Sequence, residues 1–190
     1  MRKDELRKIF LEKRAQLSDL ETFELTREIS GQVFENFSFA NKTVSLFLSI
    51  TNKKEVNTSL ILRELLDDNC RIAIPKSDFS TSEIEHFLYE GEEQLEINKY
   101  GIPEPQYGTA VDPEEFDIVF VPLLCFDDKG YRVGYGKGFY DRFLSQCKKE
   151  CMIIGLSFFE AVDEIEGIHE NDVPLQYCVT PHHLYHFDGE

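Results

Sequence analysis

No stretch of about 18 consecutive apolar residues occurs in the 190-residue sequence, so no transmembrane helix is expected. The chain is charged from Arg2 onward and lacks the apolar segment of a secretory signal, which predicts a cytoplasmic protein. Positive charge is scarce: 20 Lys and Arg face 36 Asp and Glu, a formal net charge of −16. A nucleic acid or an anionic membrane needs a basic face, so neither is expected as a partner. A small anionic ligand held by a local basic cluster stays open. The five cysteines are odd in number and form no C-x-x-C pair, which argues for reduced thiols rather than a disulfide framework. Cys147 and Cys151 could share a helix face, but two ligands make a poor metal site. Repeats, low-complexity tracts and interdomain linkers are all missing, so residues 1–190 read as one domain with its own core.

What is present alternates between helical and strand patterns. Residues 3–17 read as a helix with Leu6, Ile9, Phe10 and Leu17 on its apolar face. Lys3, Arg7, Lys8, Lys13 and Arg14 make it the most basic segment, and composition alone puts them on a solvated face. Ser18 and Glu21 form a capping box for a second helix to about residue 35, with Phe23, Ile29, Val33 and Phe34 turned inward. Residues 43–50 read as a central strand. A helix is then expected from 55–58 to about 68, burying Val56, Leu60, Leu65 and Leu66. Strands are expected at 71–74, closed by Pro75, and at 84–89, 116–126, 152–156 and 177–180. Residues 90–115 read as irregular, and 158–162 as a turn or short helix. This order predicts an α/β fold with a mainly parallel sheet.

One stretch carries the chemistry. After the apolar run and the turn residues Asp127-Asp128-Lys129-Gly130 come three alternate glycines, Gly134, Gly136 and Gly138. Phe139, Tyr140, Phe143 and Leu144 follow at helical spacing, so a helix is expected to open near Gly138. A glycine loop ahead of helix-start N–H groups suits phosphate. Arg132, Lys137 and Arg142 supply positive charge, and Asp141 supplies a carboxylate suited to magnesium. The spacing is neither the Walker A pattern nor the dinucleotide fingerprint. Glu55 stands just past a predicted strand end, where open α/β sheets bind ligands. A carboxylate favoured by a helix dipole explains it equally well.

The whole string Arg132-Val-Gly-Tyr-Gly-Lys-Gly-Phe-Tyr-Asp-Arg142, preceded by Val121-Pro122, Phe126-Asp127 and Gly130, resembles the signature of the 5-formyltetrahydrofolate cyclo-ligases. These are also called 5,10-methenyltetrahydrofolate synthetases. The resemblance covers nearly the whole chain and implies a Rossmann-like three-layer α/β/α sandwich. It implies an enzyme using ATP and Mg²⁺ to cyclise 5-formyltetrahydrofolate, with or without a polyglutamate tail; a monomer is expected, although the sequence does not fix the oligomeric state. Lys3-Asp-Glu-Leu-Arg7 matches the family's nucleotide-contacting pair. With them, Arg132, Gly134, Tyr135, Gly136, Lys137, Gly138, Phe139, Tyr140 and Arg142 are the implied ATP site. Lys137, Arg132 and Tyr140 are the implied catalytic groups. Glu55 matches the pterin contact and Ile50 an apolar contact before it, although residues 51–54 carry an insertion. Residues 135–139 are implied to touch folate as well.

Asp141 and Asp172 are the implied Mg²⁺ ligands. Gly101-Ile-Pro-Glu-Pro105 resembles a turn of the family; stiffened by its prolines, it reads either as one wall of the folate cleft or as a rigid connection, and Lys76 follows a strand-ending proline. Asn171 before Asp172, and Gln176 where the family favours aspartate, are departures. His182, His183 and His186 are expected to be solvated. Two other classes stay open: another α/β nucleotide or phosphosugar enzyme, and a non-catalytic folate or nucleotide binder.

Overall fold

The computed structural model describes residues 1–187. Its elements are α1 (Lys3–Gln16), α2 (Asp19–Asn36), β1 (Thr43–Ser45), α3 (Ser59–Asp67), β2 (Arg71–Asp78), β3 (Glu83–Leu88), β4 (Leu95–Ile97) and β5 (Pro103–Pro105). Then come β6 (Ile118–Pro122), β7 (Cys125–Phe126), β8 (Arg132–Val133), α4 (Phe139–Leu144), β9 (Met152–Leu156), β10 (Tyr177–Val179) and β11 (Leu184–His186). Seven strands form the main sheet in the order β11-β10-β9-β6-β1-β2-β3. β10, β9, β6, β1 and β2 run parallel, and β11 and β3 close the two edges antiparallel. This is the expected α/β sandwich with a mainly parallel sheet.

Strand periodicity sorts the core into two layers. Ile118 and Phe120 of β6 join Ile72 and Ile74 of β2 on the face covered by Ile29 and Val33 of α2 and Ile61 and Leu65 of α3. Val119 and Val121 turn to the opposite face, under Phe143 and Leu144 of α4. A third cluster, Leu6 and Phe10 with Leu124, Cys125 and Val133, seats α1 on the β7–β8 ribbon. That contact brings the N-terminal helix to the glycine loop.

Several boundaries differ from the sequence reading. The first strand leaves the sheet after Ser45 rather than running to residue 50, and Thr51–Lys53 forms a 3₁₀ turn. The third helix starts at Ser59, with Thr58 giving its hydroxyl to the Phe47 carbonyl at 2.6 Å. Glu55 therefore precedes the helix by several residues, and a helix dipole does not account for it. β2 continues through Pro75, which faces His86 of β3. β1 ends opposite Ala73, so on that side no ladder partner remains to miss the proline N–H. The apolar run 116–126 splits into β6 and β7, and Arg132–Val133 pairs with β7 as an unforeseen strand. Residues 90–115 contain the short β4–β5 ladder.

Phe23 and Leu66, expected in the core, are exposed. The buried stripe of α2 begins only at Thr26, and Leu66 lies one residue round α3 from the buried Leu65.

Candidate active site

β1 is the switch point of the sheet: the chain leaves it toward β2 on one side and later returns to its other side as β6. Ligands of open α/β sheets bind in the crevice beyond such strand ends. A cavity of about 560 Å³ lies there, lined by Phe47, Leu48 and Ile50 after β1, by Pro122 of β6 and by the glycine loop. Of the residues implied to contact ATP, folate or Mg²⁺, all line it except Arg142. Lys3, Arg7, Ile50, Glu55, Arg132, Gly134, Tyr135, Gly136, Lys137, Gly138, Phe139, Tyr140, Asp141 and Asp172 converge on one space. Arg142 is turned outward, its guanidinium donating to the carbonyls of Lys137 at 2.9 Å and Ser82 at 3.4 Å.

Local bonding explains the loop's position. The carboxylate of buried Asp127 accepts the N–H groups of Lys129 (3.1 Å), Tyr131 (2.9 Å) and Ile165 (3.1 Å), which anchors the turn ahead of β8. Arg7 reaches from α1 and donates Nε–H to the Gly134 carbonyl at 2.9 Å. Gly136 and Gly138 hold φ of +86° and +68°, a left-handed conformation that favours glycine. Gly138 caps α4, so Phe139 and Tyr140 begin that helix beside the cavity. Lys137, at the loop's crest, is exposed.

The charged groups are mutually engaged. Arg132 has only 6 % of its side chain exposed; it donates to Asp141 Oδ1 at 2.8 Å and to the Val173 carbonyl. Asp141 Oδ1 also accepts the Val173 N–H at 3.2 Å. Lys3 pairs with Asp172 Oδ2, which also accepts the His169 N–H at 2.7 Å. Burial alone would raise the Asp172 carboxyl, but the His169 N–H and Lys3 outweigh it and hold it below the usual range. Each aspartate thus commits one named oxygen to the protein. Among the described residues no group of three or more His, Cys, Asp or Glu is placed to hold a metal. A hard cation beside Asp141 and Asp172 would complete its shell with phosphate oxygens and water, the usual habit of Mg²⁺.

Glu55 is buried, accepting the Ile50 N–H at 2.7 Å on Oε2 and the Tyr135 hydroxyl at 2.8 Å on Oε1. Burial raises its pKa, opposed by those two bonds and by the charges of Arg14 and Lys53. Burial, reinforced by Glu55, also pushes the phenols of Tyr135 and Tyr140 well above the ordinary tyrosine range. Both are therefore neutral hydroxyls at ordinary pH.

The cleft's outer wall holds residues that the sequence reading had not picked out. Phe79, beyond β2, stands 4.1 Å in ring centroid from Tyr100 and 5.2 Å from Phe139. Both Phe79 and Tyr100 are exposed large hydrophobics, and an aromatic inside the polar run Asp78-Phe-Ser-Thr-Ser82 was the available signal. Ile102 and Pro103 line the same wall, in keeping with the cleft-wall reading of the Gly101–Pro105 turn. Lys76 does not line the cavity, whereas Pro75 and Ser77 on either side do. Gln176 accepts the Ile153 N–H at 3.2 Å, and neither it nor the terminal histidines line the cavity. His183 faces Glu160 at 3.0 Å, and His186 stacks on Tyr177. The five cysteines are unpaired thiols.

Three comparisons bear on this arrangement. Residues 1–181 match the family model described as the 5-formyltetrahydrofolate cyclo-ligase family. The chain is 32 % identical over 157 residues to the 5-formyltetrahydrofolate cyclo-ligase of Mycoplasma genitalium, covering 82 % of this chain and 84 % of that one. It is 29 % identical over 143 residues to the Escherichia coli K12 protein of the same name, covering 73 % and 78 %. The NMR structure of Aquifex aeolicus 5,10-methenyltetrahydrofolate synthetase matches with a TM-score of 0.80 at 28 % identity, covering 100 % of this chain and 95 % of that one.

Proposed function

The chain belongs to the 5-formyltetrahydrofolate cyclo-ligase family, and from that premise we propose that it cyclises 5-formyltetrahydrofolate to 5,10-methenyltetrahydrofolate while converting ATP to ADP and phosphate. The observation that carries this reading is the single cavity that joins a phosphate-type glycine loop to a buried carboxylate, Glu55, and an apolar wall.

A formamide is a poor electrophile. Transfer of the γ-phosphoryl group to the formyl oxygen makes that oxygen a leaving group. N10 then attacks the formyl carbon and loses its proton, the C–O bond breaks, and phosphate departs. Such chemistry asks the protein for positioning and charge neutralisation rather than covalent participation. Gly134, Gly136 and Gly138 line the phosphate path, and Lys3, Arg7, Lys137 and Arg132 offset its charge. Glu55, fixed by Ile50 and Tyr135, accepts hydrogen bonds from the pterin. Ile50, Tyr135 and Phe139 pack on the folate, and Tyr140 offers a neutral hydroxyl. Asp141 and Asp172 are the carboxylates that would hold Mg²⁺, which supplies further neutralisation of the phosphate charge when bound.

The test is growth of the methenyltetrahydrofolate absorbance from purified protein, 5-formyltetrahydrofolate and Mg-ATP. The expected result is turnover that needs a divalent cation and releases ADP. AMP with pyrophosphate would overturn the phosphoryl-transfer assignment. ATP hydrolysis indifferent to folate would favour another nucleotide enzyme, and tight folate binding without turnover a regulator.

A further inference from the structure

Arg14 sits on α1 two turns beyond Arg7 and is 3 % exposed, although its position in a basic helix suggested a solvated face. Lys3, Arg7, Phe10 and Arg14 follow a spacing of three and four, so they share the stripe that packs on the β7–β8 ribbon. The guanidinium does not line the cavity but stands behind it. One N–H goes to the Leu123 carbonyl, and NH1 donates to the Tyr135 hydroxyl at 3.2 Å. Its Nε is buried and has no partner among the described residues. It makes no ion pair with a carboxylate among the described residues, an expensive state for a buried charge. The nearest compensation is Glu55, one hydroxyl away.

That hydroxyl has a forced direction. Guanidinium can only donate, so the Tyr135 oxygen must accept from Arg14. Its single proton is then left for Glu55 Oε1, at 2.8 Å. The other carboxylate oxygen is fixed by the Ile50 N–H. Each oxygen of Glu55 thus carries one hydrogen bond from the protein and keeps a further lone pair, and Glu55 lines the cavity. We propose that Arg14 is a positioning residue for the folate half of the site, orienting the Tyr135 hydroxyl that fixes Glu55 at the folate face. The inference rests on the folate reading given above.

The charged and titratable groups around Glu55 are Arg14 from α1, Lys53 from the turn before it, Tyr135 from the loop and Tyr140 from α4. The two phenols stay neutral, so Arg14 and Lys53 are the cations opposing the burial that lifts the Glu55 carboxyl. Removing Arg14 takes away one cation and frees the Tyr135 proton. Glu55 then keeps its proton to higher pH, and the acid limb of kcat/KM for folate moves upward.

The experiment compares wild type, Arg14→Met and Arg14→Lys in turnover assays across pH, varying folate and ATP separately. Arg14→Met is expected to raise the folate KM about tenfold or more, leave the ATP KM within about twofold, and move the acid limb upward. Arg14→Lys keeps the charge but loses the fork, so the acid limb returns near wild type while folate KM remains a few-fold raised. Should Arg14→Met fail to fold, Arg14→Lys and Tyr135→Phe carry the test. Tyr135→Phe breaks the relay without touching the Leu123 contact, and should raise folate KM and move the acid limb upward as Arg14→Met does. Folded variants with lowered melting temperature but unchanged folate KM and acid limb would overturn the proposal, as would parallel rises in both KM values of the Arg14 variants. Absence of turnover in the wild type would instead overturn the folate reading itself.

Discussion

Gly134→Ala separates the loop's structural role from its ligand role more cleanly than any other single change. At Gly134 the backbone φ is not in the left-handed region, and a Cβ built there meets no atom within 4 Å. Alanine therefore fits the fold without strain and restricts the unfolded chain, a gain of about 0.4–1 kcal/mol. For a chain of this size that corresponds to a melting temperature unchanged or raised by roughly 1–4 °C. The Arg7 bond to the residue-134 carbonyl is untouched, because alanine keeps that carbonyl. Gly134 lines the cavity, and the added Cβ meets only open space there. If phosphate oxygens approach the loop N–H groups there, the methyl group holds them off. One or two hydrogen bonds to a charged group are then lost, about 1.5–3 kcal/mol each. ATP affinity should fall by about tenfold to a hundredfold or more, while stability holds or rises. Calorimetric titration of nucleotide beside thermal melting reads both quantities from one preparation. A Gly134→Ala protein with wild-type ATP affinity and turnover would refute the phosphate assignment, since no folding defect could mask the result.

Gly136→Ala should behave differently, because φ of +86° and an Arg7 guanidinium 3.0 Å from the added Cβ strain the fold as well; a loss of about 1–2 kcal/mol, or roughly 2–8 °C in melting temperature, should accompany weaker ATP binding. Glu55→Gln should raise folate KM by about tenfold or more and leave ATP affinity near wild type, since an amide cannot accept from Ile50, Tyr135 and a pterin at once; equal folate kinetics in the variant would refute the contact. His86 is buried between Phe116 and Phe143 with Nε2 2.8 Å from the Ser45 hydroxyl, and burial lowers its pKa to about 3. The unfolded chain titrates near 6.5, so between pH 6.5 and about 3 it binds more protons than the folded chain, and stability falls as pH falls. His86→Phe should therefore lose about 2–3 kcal/mol less than wild type between pH 7 and 4.5, measured by urea unfolding at both; equal losses would show that His86 is charged in the fold or exposed.

Periodic segments with local signals were legible in the sequence. The capping box of α2, the continuous apolar run of β9 and the turn chemistry at Asp127–Gly130 each rest on neighbours a few residues apart, and each stands where periodicity placed it. The convergence of Lys3, Arg7, Glu55 and the 132–141 segment on one cavity followed from the family signature, not from spacing, because no local pattern joins residues so far apart in the chain. Tertiary structure alone decided the remainder. Arg14 reads like any lysine or arginine of a basic helix until α1 docks on the β7–β8 ribbon and seals it against Tyr135. Phe23 and Leu66 fit an apolar stripe, yet the packed faces of α2 and α3 stop short of them. Glu55 owes its place to the early exit of β1 from the sheet, which depends on where β2 and β6 stop pairing. The three loop glycines look equivalent in sequence, and only the folded backbone divides them into two held at positive φ and one, Gly134, whose added Cβ would meet nothing within 4 Å.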